Sequence, residues 1–313
     1  MTKILVTGAT GFVGHALLPA LLSKGHEVVA AVRGKEADLP EGVKSIRVGD
    51  IDGDTNWRAA LWGCEAVVHL AARVHVMKET AADPAGAFDV VNVDGARHLA
   101  EEAALAGISR FVFMSSVKVM AESSPSDRML TESDLCRPTT DYGRSKLRGE
   151  RAVLRVGEKT TMGVTVLRSP LVYGFGVGGN FAKLIKLCKS GMPLPLGGVQ
   201  NKRSLIYVGN LADAVVRTLE RDETSGRTFL VSDGPPVSTP ELVQAICSVL
   251  KIKARLVNIP PVALDKIRAM SGGGIIDKLY GDLALDTMRF RARTGWRPPF
   301  GFEEAIRKTL GVE

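Results

Sequence analysis

Tyr142 and Lys146 stand four residues apart in the stretch Tyr142-Gly-Arg-Ser-Lys146. On a helix that spacing puts both side chains on one face, with Cβ atoms about 5–6 Å apart. An ammonium beside a phenol stabilises the phenolate, and a phenol of pKa about 10 becomes a usable proton donor or acceptor near neutrality. The same pattern also fits an ordinary exposed helix, so its place in the chain decides what it is worth. Upstream lies the loop Thr7-Gly8-Ala-Thr10-Gly11-Phe12-Val13-Gly14, with glycines at every third position. It follows a predicted strand and opens a predicted helix. Without side chains, such a backbone turns tightly and approaches a pyrophosphate whose charge is favoured by the helix N-terminus. A glycine-rich turn that holds no ligand is the alternative. Taken together, loop and pair point to hydride exchange with a nicotinamide dinucleotide.

The end of the second strand bears on which dinucleotide. An acidic residue there accepts hydrogen bonds from the adenosine ribose of NAD. Here the strand ends Val32-Arg33, with Lys35 close behind. A cation at that point suits a 2′-phosphate and leans the reading towards NADP(H) over NAD(H), although Arg33 can also simply stack on adenine. Asp50-Ile51, after the third strand, are placed to bracket the adenine, unless Asp50 serves only as a turn residue.

These residues need a scaffold. Apolar runs at 3–7, 27–32, 44–48, 65–70, 110–114 and 163–167 alternate with helical patterns. Ile4-Leu-Val, Val28-Val-Ala-Ala-Val, Ala66-Val-Val and Phe111-Val-Phe-Met are continuously apolar, as in strands covered on both faces, and the alternation predicts an α/β fold with a doubly wound parallel sheet. We read residues 1–168 as a nucleotide-binding domain of the Rossmann type. Residues 169–313, richer in Gly/Pro loops such as Gly174–Asn180, Gly191–Gly198, Asp233–Pro236 and Ser271–Gly274, read as mainly a smaller substrate lobe, with the chain free to cross back between the two. Ser238-Thr-Pro-Glu241 reads as a capped helix start, and Pro19 as a kink within the first helix.

The chain has 313 residues, 45% of them hydrophobic and 24% charged, enough for a sizeable core. Neither a leader nor an apolar run of about 18 residues is seen, so membrane insertion is not expected and a cytoplasmic location is. Cys64, Cys136, Cys188 and Cys247 are too scattered for a disulfide framework or a zinc site, and no metal is expected. The net charge of +7 is spread among acidic residues, and only 5% of residues are aromatic, which disfavours nucleic acid and leaves a small phosphorylated ligand.

With Gly8-Ala-Thr-Gly11-Phe-Val-Gly14, His69-Leu-Ala-Ala72, Asn92-Val-Asp-Gly95, Ser115-Ser116, Tyr142-x-x-x-Lys146 and Leu167-Arg-Ser-Pro170 in order, the chain resembles the extended short-chain dehydrogenase/reductases, in their sugar-nucleotide epimerase/dehydratase branch. Arg203-Ser-Leu-Ile-Tyr-Val-Gly-Asn-Leu-Ala-Asp213 and Gly295-Trp-Arg-Pro298 extend the resemblance over nearly the whole chain. Finer motifs, among them Ser115-Ser-Val-Lys-Val119, His69 to Met77 and Thr228 to Gly234, are most similar to the 4-keto reductases of the UDP-N-acetylquinovosamine dehydrogenase type. The resemblance implies that Tyr142 exchanges the proton on the sugar 4-oxygen, that Lys146 lowers its pKa and holds the nicotinamide ribose, and that Ser116 hydrogen-bonds the same oxygen. Ser116 is preferred to Ser115 because it stands three residues before Val119. It further implies that Leu70, Ala71 and Ala72 line the pyrophosphate-ribose path, that Asn92 and Ser169 support the cofactor side, and that Asn180, Phe181 and Arg203 contact a uridine diphosphate. The family's further arginine has no clear match, Lys278 being a weak substitute.

Dehydratases of this family carry an acidic residue directly after the catalytic Ser/Thr, whereas Val117-Lys118 follow Ser116. Two reactions at C4 of a UDP-sugar remain. Reduction of a UDP-4-keto-6-deoxy-N-acetylhexosamine is favoured by Arg33 and the finer motifs. A 4-epimerase with tightly bound NAD is the alternative, and an NADP-sensing binding protein without turnover is a second. The resemblance also implies a homodimer on helices at about 93–106 and 142–157, where Leu99, Ala103, Ala106, Leu147 and Val153 form a seam or simply cover the sheet.

Overall fold

The structure, a computed structural model, describes residues 1–34, 38–74, 83–258 and 279–312. Lys35, Lys278, the Ser271–Gly274 loop and the end of the motif running from His69 to Met77 lie outside the described residues. Along the chain come β1 (Lys3–Thr7), α1 (Phe12–Ser23), β2 (Glu27–Val32), β3 (Val43–Arg47), α2 (Arg58–Leu61), β4 (Ala66–His69) and α3 (Pro84–Asp89). A π-helical turn, Val90–Gly95, leads into α4 (Ala96–Leu105), then β5 (Arg110–Ser116), α5 (Asp141–Lys159), β6 (Gly163–Ser169) and β7 (Leu171–Tyr173). There follow α6 (Gly179–Lys189), β8 (Leu205–Tyr207), α7 (Val208–Leu219), β9 (Arg227–Leu230), α8 (Thr239–Val249), α9 (Met288–Thr294) and α10 (Phe302–Leu310).

Seven strands form one sheet in the order β3-β2-β1-β4-β5-β6-β9, every pairing parallel. The reversal of direction between β1 and β4 makes the switch point at which doubly wound folds bind ligands, beyond the carboxyl ends of the strands. The apolar runs owe their continuity to burial on both faces. Ile4, Val6, Val28 and Val68 pack with α1 and α7 on one side, while Leu5, Val67, Phe111 and Val164 pack with α4 and α5 on the other. The seventh strand returns from the second half of the chain, so that half contributes both to the sheet and to a separate cluster around Tyr173, Phe181, Leu242 and Ile306.

The predicted start of α8 has the expected form. Ser238 Oγ accepts from Glu241 N at 3.2 Å while Ser238 N donates to Glu241 Oε2 at 2.6 Å, a closed capping box at the start of α8. The α1 helix continues through Pro19 to Ser23.

Of the two readings of the apolar positions at about 93–106 and 142–157, four side with cover for the sheet, while Ala106, just past α4, is exposed. Leu99, Ala103 and Val153 are wholly inside the subunit, and Leu147 is buried with Val117 and Leu130, so all four cover this chain's own sheet and loops. What α5 turns outward instead is Arg144, Arg148, Arg151 and Arg155.

Asp233 closes the junction between β7, β8 and α7. Its carboxylate accepts from Tyr173 Oη at 3.0 Å, Tyr207 N at 2.8 Å and Asn210 Nδ2 at 2.7 Å. Burial nevertheless pushes its pKa up to about 6, with those donors and Arg291 opposing. A carboxyl whose proton is held more tightly in the fold than in the unfolded chain makes stability fall as pH rises through that interval. The difference in unfolding free energy between the wild type and Asp233→Asn should therefore change between about pH 4 and pH 6 and be flat above about pH 7, as denaturant melts at several pH values would read.

Candidate functional site

Gly8, Gly11 and Gly14 each do something different. Gly8 sits at φ +68° with the Leu70-Ala71 backbone passing directly over it, so that a Cβ would lie 2.7 Å from Ala71 N. Gly14 is locked against the loop's own backbone, where a Cβ would lie 2.3 Å from Ala9 O. Gly11 caps α1 in extended conformation, and no side chain satisfies the helix's first N–H groups there. Thr10 and Gly11 are exposed beside them. Unmet donors at a helix N-terminus, reached over a glycine surface, fit the pyrophosphate of a dinucleotide. Phe12 and Val13 face inward and pack on the apolar cluster of the chain's second half.

The segment after β4 is tied to β1 at its carboxyl end. Thr7 Oγ1 contacts His69 Nδ1 at 2.8 Å and accepts from Ala71 N at 3.3 Å, and Leu70 N donates to Thr7 O at 3.2 Å. These bonds place Leu70, Ala71 and Ala72 alongside Gly8. On the outer side of the sheet, Arg33 Nη1 and Asp50 Oδ1 are 3.8 Å apart, with side chains 82% and 88% exposed. The basic residue that favours a 2′-phosphate thus already has a carboxylate beside it. Ile51 is half-buried against Gly95 and the core.

Thr140 caps α5 by accepting from Gly143 N at 3.1 Å, which starts the helix one residue before Tyr142. Asn92, buried in the π-helical turn, accepts from Arg73 N at 2.9 Å and donates to Arg73 O at 3.0 Å and to Ser145 Oγ at 2.9 Å. Ser145 Oγ in turn donates to Tyr142 O at 2.9 Å. Asn92 therefore fastens the helical turn that carries Tyr142 and Lys146 to the segment after β4. Close approach is built in here too, since a Cβ at Gly149 would meet Asn92 O at 2.2 Å.

Ser116 ends β5 close enough to the Tyr142 phenol to favour its charged form, and its Oγ accepts from Lys118 N at 3.3 Å. The fold so brings Ser116 and Tyr142 together, with Lys146 one turn further along the same face of α5. Lys146 is 1% exposed, its Nζ 3.9 Å above the Phe113 ring. Burial pushes its pKa down to about 7, with Glu150 opposing. The phenol moves the other way from the expected lowering: burial pushes Tyr142 up to about 12, and Ser116 only opposes this. The reason is that desolvation penalises both charged forms, the ammonium as much as the phenolate. His69, buried beside Lys146, is held neutral, its pKa pushed down to about 3 by burial and then by the lysine.

Ser169 Oγ donates to Ser115 O at 3.4 Å, joining the ends of β5 and β6. In the second half of the chain Asn180 is exposed at the start of α6, but the Phe181 ring is core, stacked on Tyr173 at 5.2 Å, which leaves only its backbone for a ligand. Arg203 is half-buried and donates to Gly281 O at 2.9 Å. Val117, where a dehydratase carboxylate would stand, is buried with Val119 and Met120, and Lys118 pairs with Glu122. Sequence reasoning missed Thr7, Ser145, Glu150 and Arg168. An arginine inside the buried strand β6 is the one signal that marks part of this set.

Residues 4–232 match the NAD dependent epimerase/dehydratase family. A UDP-glucose 4-epimerase of Vibrio cholerae is 35% identical over 309 residues, 98% of this chain and 94% of that protein. Among solved structures, UDP-glucose 4-epimerase of Thermus thermophilus in complex with NAD is 25% identical, with TM-score 0.76 over 99% of this chain and 98% of that one. UDP-N-acetylglucosamine 4-epimerase of Bacillus cereus, 19% identical, shares the fold with TM-score 0.79 over 99% and 98% of the two chains.

Proposed function

The chain belongs to the NAD dependent epimerase/dehydratase family, and from that premise we propose that it exchanges hydride and proton at C4 of a UDP-sugar. The observation that carries this reading is the placing of Ser116 beside the Tyr142 phenol, with Lys146 one turn away on the same helix. A dinucleotide with its pyrophosphate over the Gly8–Gly14 loop would supply or accept the hydride at its nicotinamide. Tyr142 would give its proton to, or take one from, the sugar 4-oxygen, and Ser116 would hold that oxygen. Lys146, an ammonium below about pH 7, would hold the nicotinamide ribose and favour the phenolate. The lobe from residue 169 onward would take the uridine diphosphate, with Asn180, the Phe181 backbone and Arg203 as contacts.

Within that chemistry we read the direction as reduction of a UDP-4-keto-6-deoxy-N-acetylhexosamine. Its support lies in this chain's own residues: Arg33 directly after β2 and the motifs around Ser116 and Phe229, while the buried Val117 argues only against elimination. A second reading, 4-epimerisation with a retained NAD, has the more direct support from relatives, since the Vibrio cholerae protein is named UDP-glucose 4-epimerase and the Thermus thermophilus structure holds NAD. Asp50 beside Arg33 also suits NAD, because it would repel a 2′-phosphate. We further propose a homodimer.

Nucleotide released by denaturing the purified protein separates the readings. A reductase should release little, and should then consume NADPH or NADH with the 4-keto sugar. Stoichiometric NAD, with interconversion of UDP-N-acetylglucosamine and its galacto epimer, would replace it by the epimerase.

A further inference from the structure

Glu150 lies one turn beyond Lys146 on α5, and the chemistry above leaves it unused. Its side chain is 2% exposed, and that of Arg168, facing it from β6, is 7% exposed. Arg168 Nη2 donates to Glu150 Oε2 at 2.7 Å and Arg168 Nε to Oε1 at 3.0 Å, a bidentate fork. Ser115 Oγ also donates to Oε1. Ser115 precedes Ser116, so one carboxylate ties together the helix that carries Tyr142 and Lys146 and the strand end that carries Ser116.

A buried ion pair is weak evidence for stability, because apolar replacements of both partners are often neutral. Its retention directly behind the one buried lysine of the site calls for another reason. We propose that Glu150 and Arg168 form a positioning pair for Lys146, in which Glu150 keeps the buried amine an ammonium and Arg168 limits that pull. The inference rests on the reading of Lys146 given above only for its importance to turnover.

Among the described residues, Glu150 is the charge that acts on Lys146, and Arg168 reaches it through the fork with Glu150. From α5 itself come Tyr142, whose phenol stays protonated, and Glu150. From β4 comes His69, held neutral. Beside Glu150 stand Cys136, from the loop before α5, whose thiol burial pushes up, and Arg168 from β6. Asp89 and Lys118, on α3 and the turn after β5, are engaged with Arg148 and Glu122. Glu150 is the group that raises Lys146 against the effect of burial.

The test is a side-chain NMR titration of protein labelled with carbon-13 lysine, with the Lys146 signal assigned by its loss in Lys146→Met. It needs neither substrate nor turnover, so its outcome is independent of the C4 reading. Glu150→Gln, which leaves the Arg168 charge uncompensated, should move the Lys146 midpoint down by about one pH unit or more, and Arg168→Gln should move it up. A purely structural pair would not give shifts of opposite sign. The double variant Glu150→Met/Arg168→Met, in which no lone charge is buried, should titrate below wild type and above Glu150→Gln, and it decides the matter if the single variants fail to fold. Single variants that are folded by circular dichroism and shift together or not at all, or a double variant with an unchanged midpoint, would overturn the proposal.

Discussion

Tyr142→Phe should fold, bind nicotinamide nucleotide as the wild type does, and turn over its UDP-sugar at least about 100-fold more slowly, the lower end of what a positioned general acid contributes. The substitution removes only the hydroxyl. The ring keeps its place against Phe88, 6.3 Å away, and the Thr140 cap and the Asn92-Ser145 fastening do not involve the phenol. Lost with the hydroxyl are its interaction with Ser116 and the proton that Tyr142 would give to a sugar oxygen. Turnover of the wild type should also fall as pH rises through about 7, because a buried amine with its pKa pushed down loses its charge there. A protein that only senses NADP would keep its function in the phenylalanine variant. Steady-state rates and nucleotide titrations on the same preparation separate these outcomes.

Gly14→Ala should lower stability by about 1–3 kcal/mol and abolish dinucleotide binding, the range expected for overpacking a close-packed site. All three nearest atoms to the added Cβ are backbone: Ala9 O at 2.3 Å, Gly8 O at 2.5 Å and Ala9 C at 2.6 Å. No side chain can swing away, so the loop itself must move, and the helix N-terminus moves with it. Gly301→Ala is the matched control, since nothing lies within 4 Å of its added Cβ and its φ of −72° suits any residue. A melting curve and a nucleotide titration for each variant read both effects. Equal behaviour of the two variants would remove the close-packing argument for the loop.

The parallel sheet is legible in the sequence because burial on both faces leaves strands such as Val28 to Val32 and Phe111 to Met114 apolar throughout. The strand β9 is not, since Arg227-Thr-Phe-Leu230 is short and its partner β6 lies some sixty residues earlier. Periodicity likewise marks Leu99, Ala103 and Val153 as an apolar face without saying whose surface covers it, and the answer is this chain's own sheet. At the site, Gly8, Gly11, Gly14, Tyr142 and Lys146 are readable because backbone chemistry and helical spacing are local. The Asn92-Ser145 bond and the Glu150-Arg168 fork join residues 53 and 18 positions apart, and no local pattern encodes them. The raised phenol belongs to the same class, because spacing announces the ammonium but desolvation depends on everything packed around it.

The most direct test of hydride and proton exchange at C4 follows the hydride itself. A UDP-4-keto-6-deoxy-N-acetylhexosamine is incubated with the protein and a reduced nicotinamide dinucleotide carrying deuterium at its transferable position, and the sugar is then read by NMR. The account predicts deuterium on C4 with wild-type protein and almost none with Tyr142→Phe. Sugar recovered without deuterium at C4, from folded protein that binds both ligands, would contradict it.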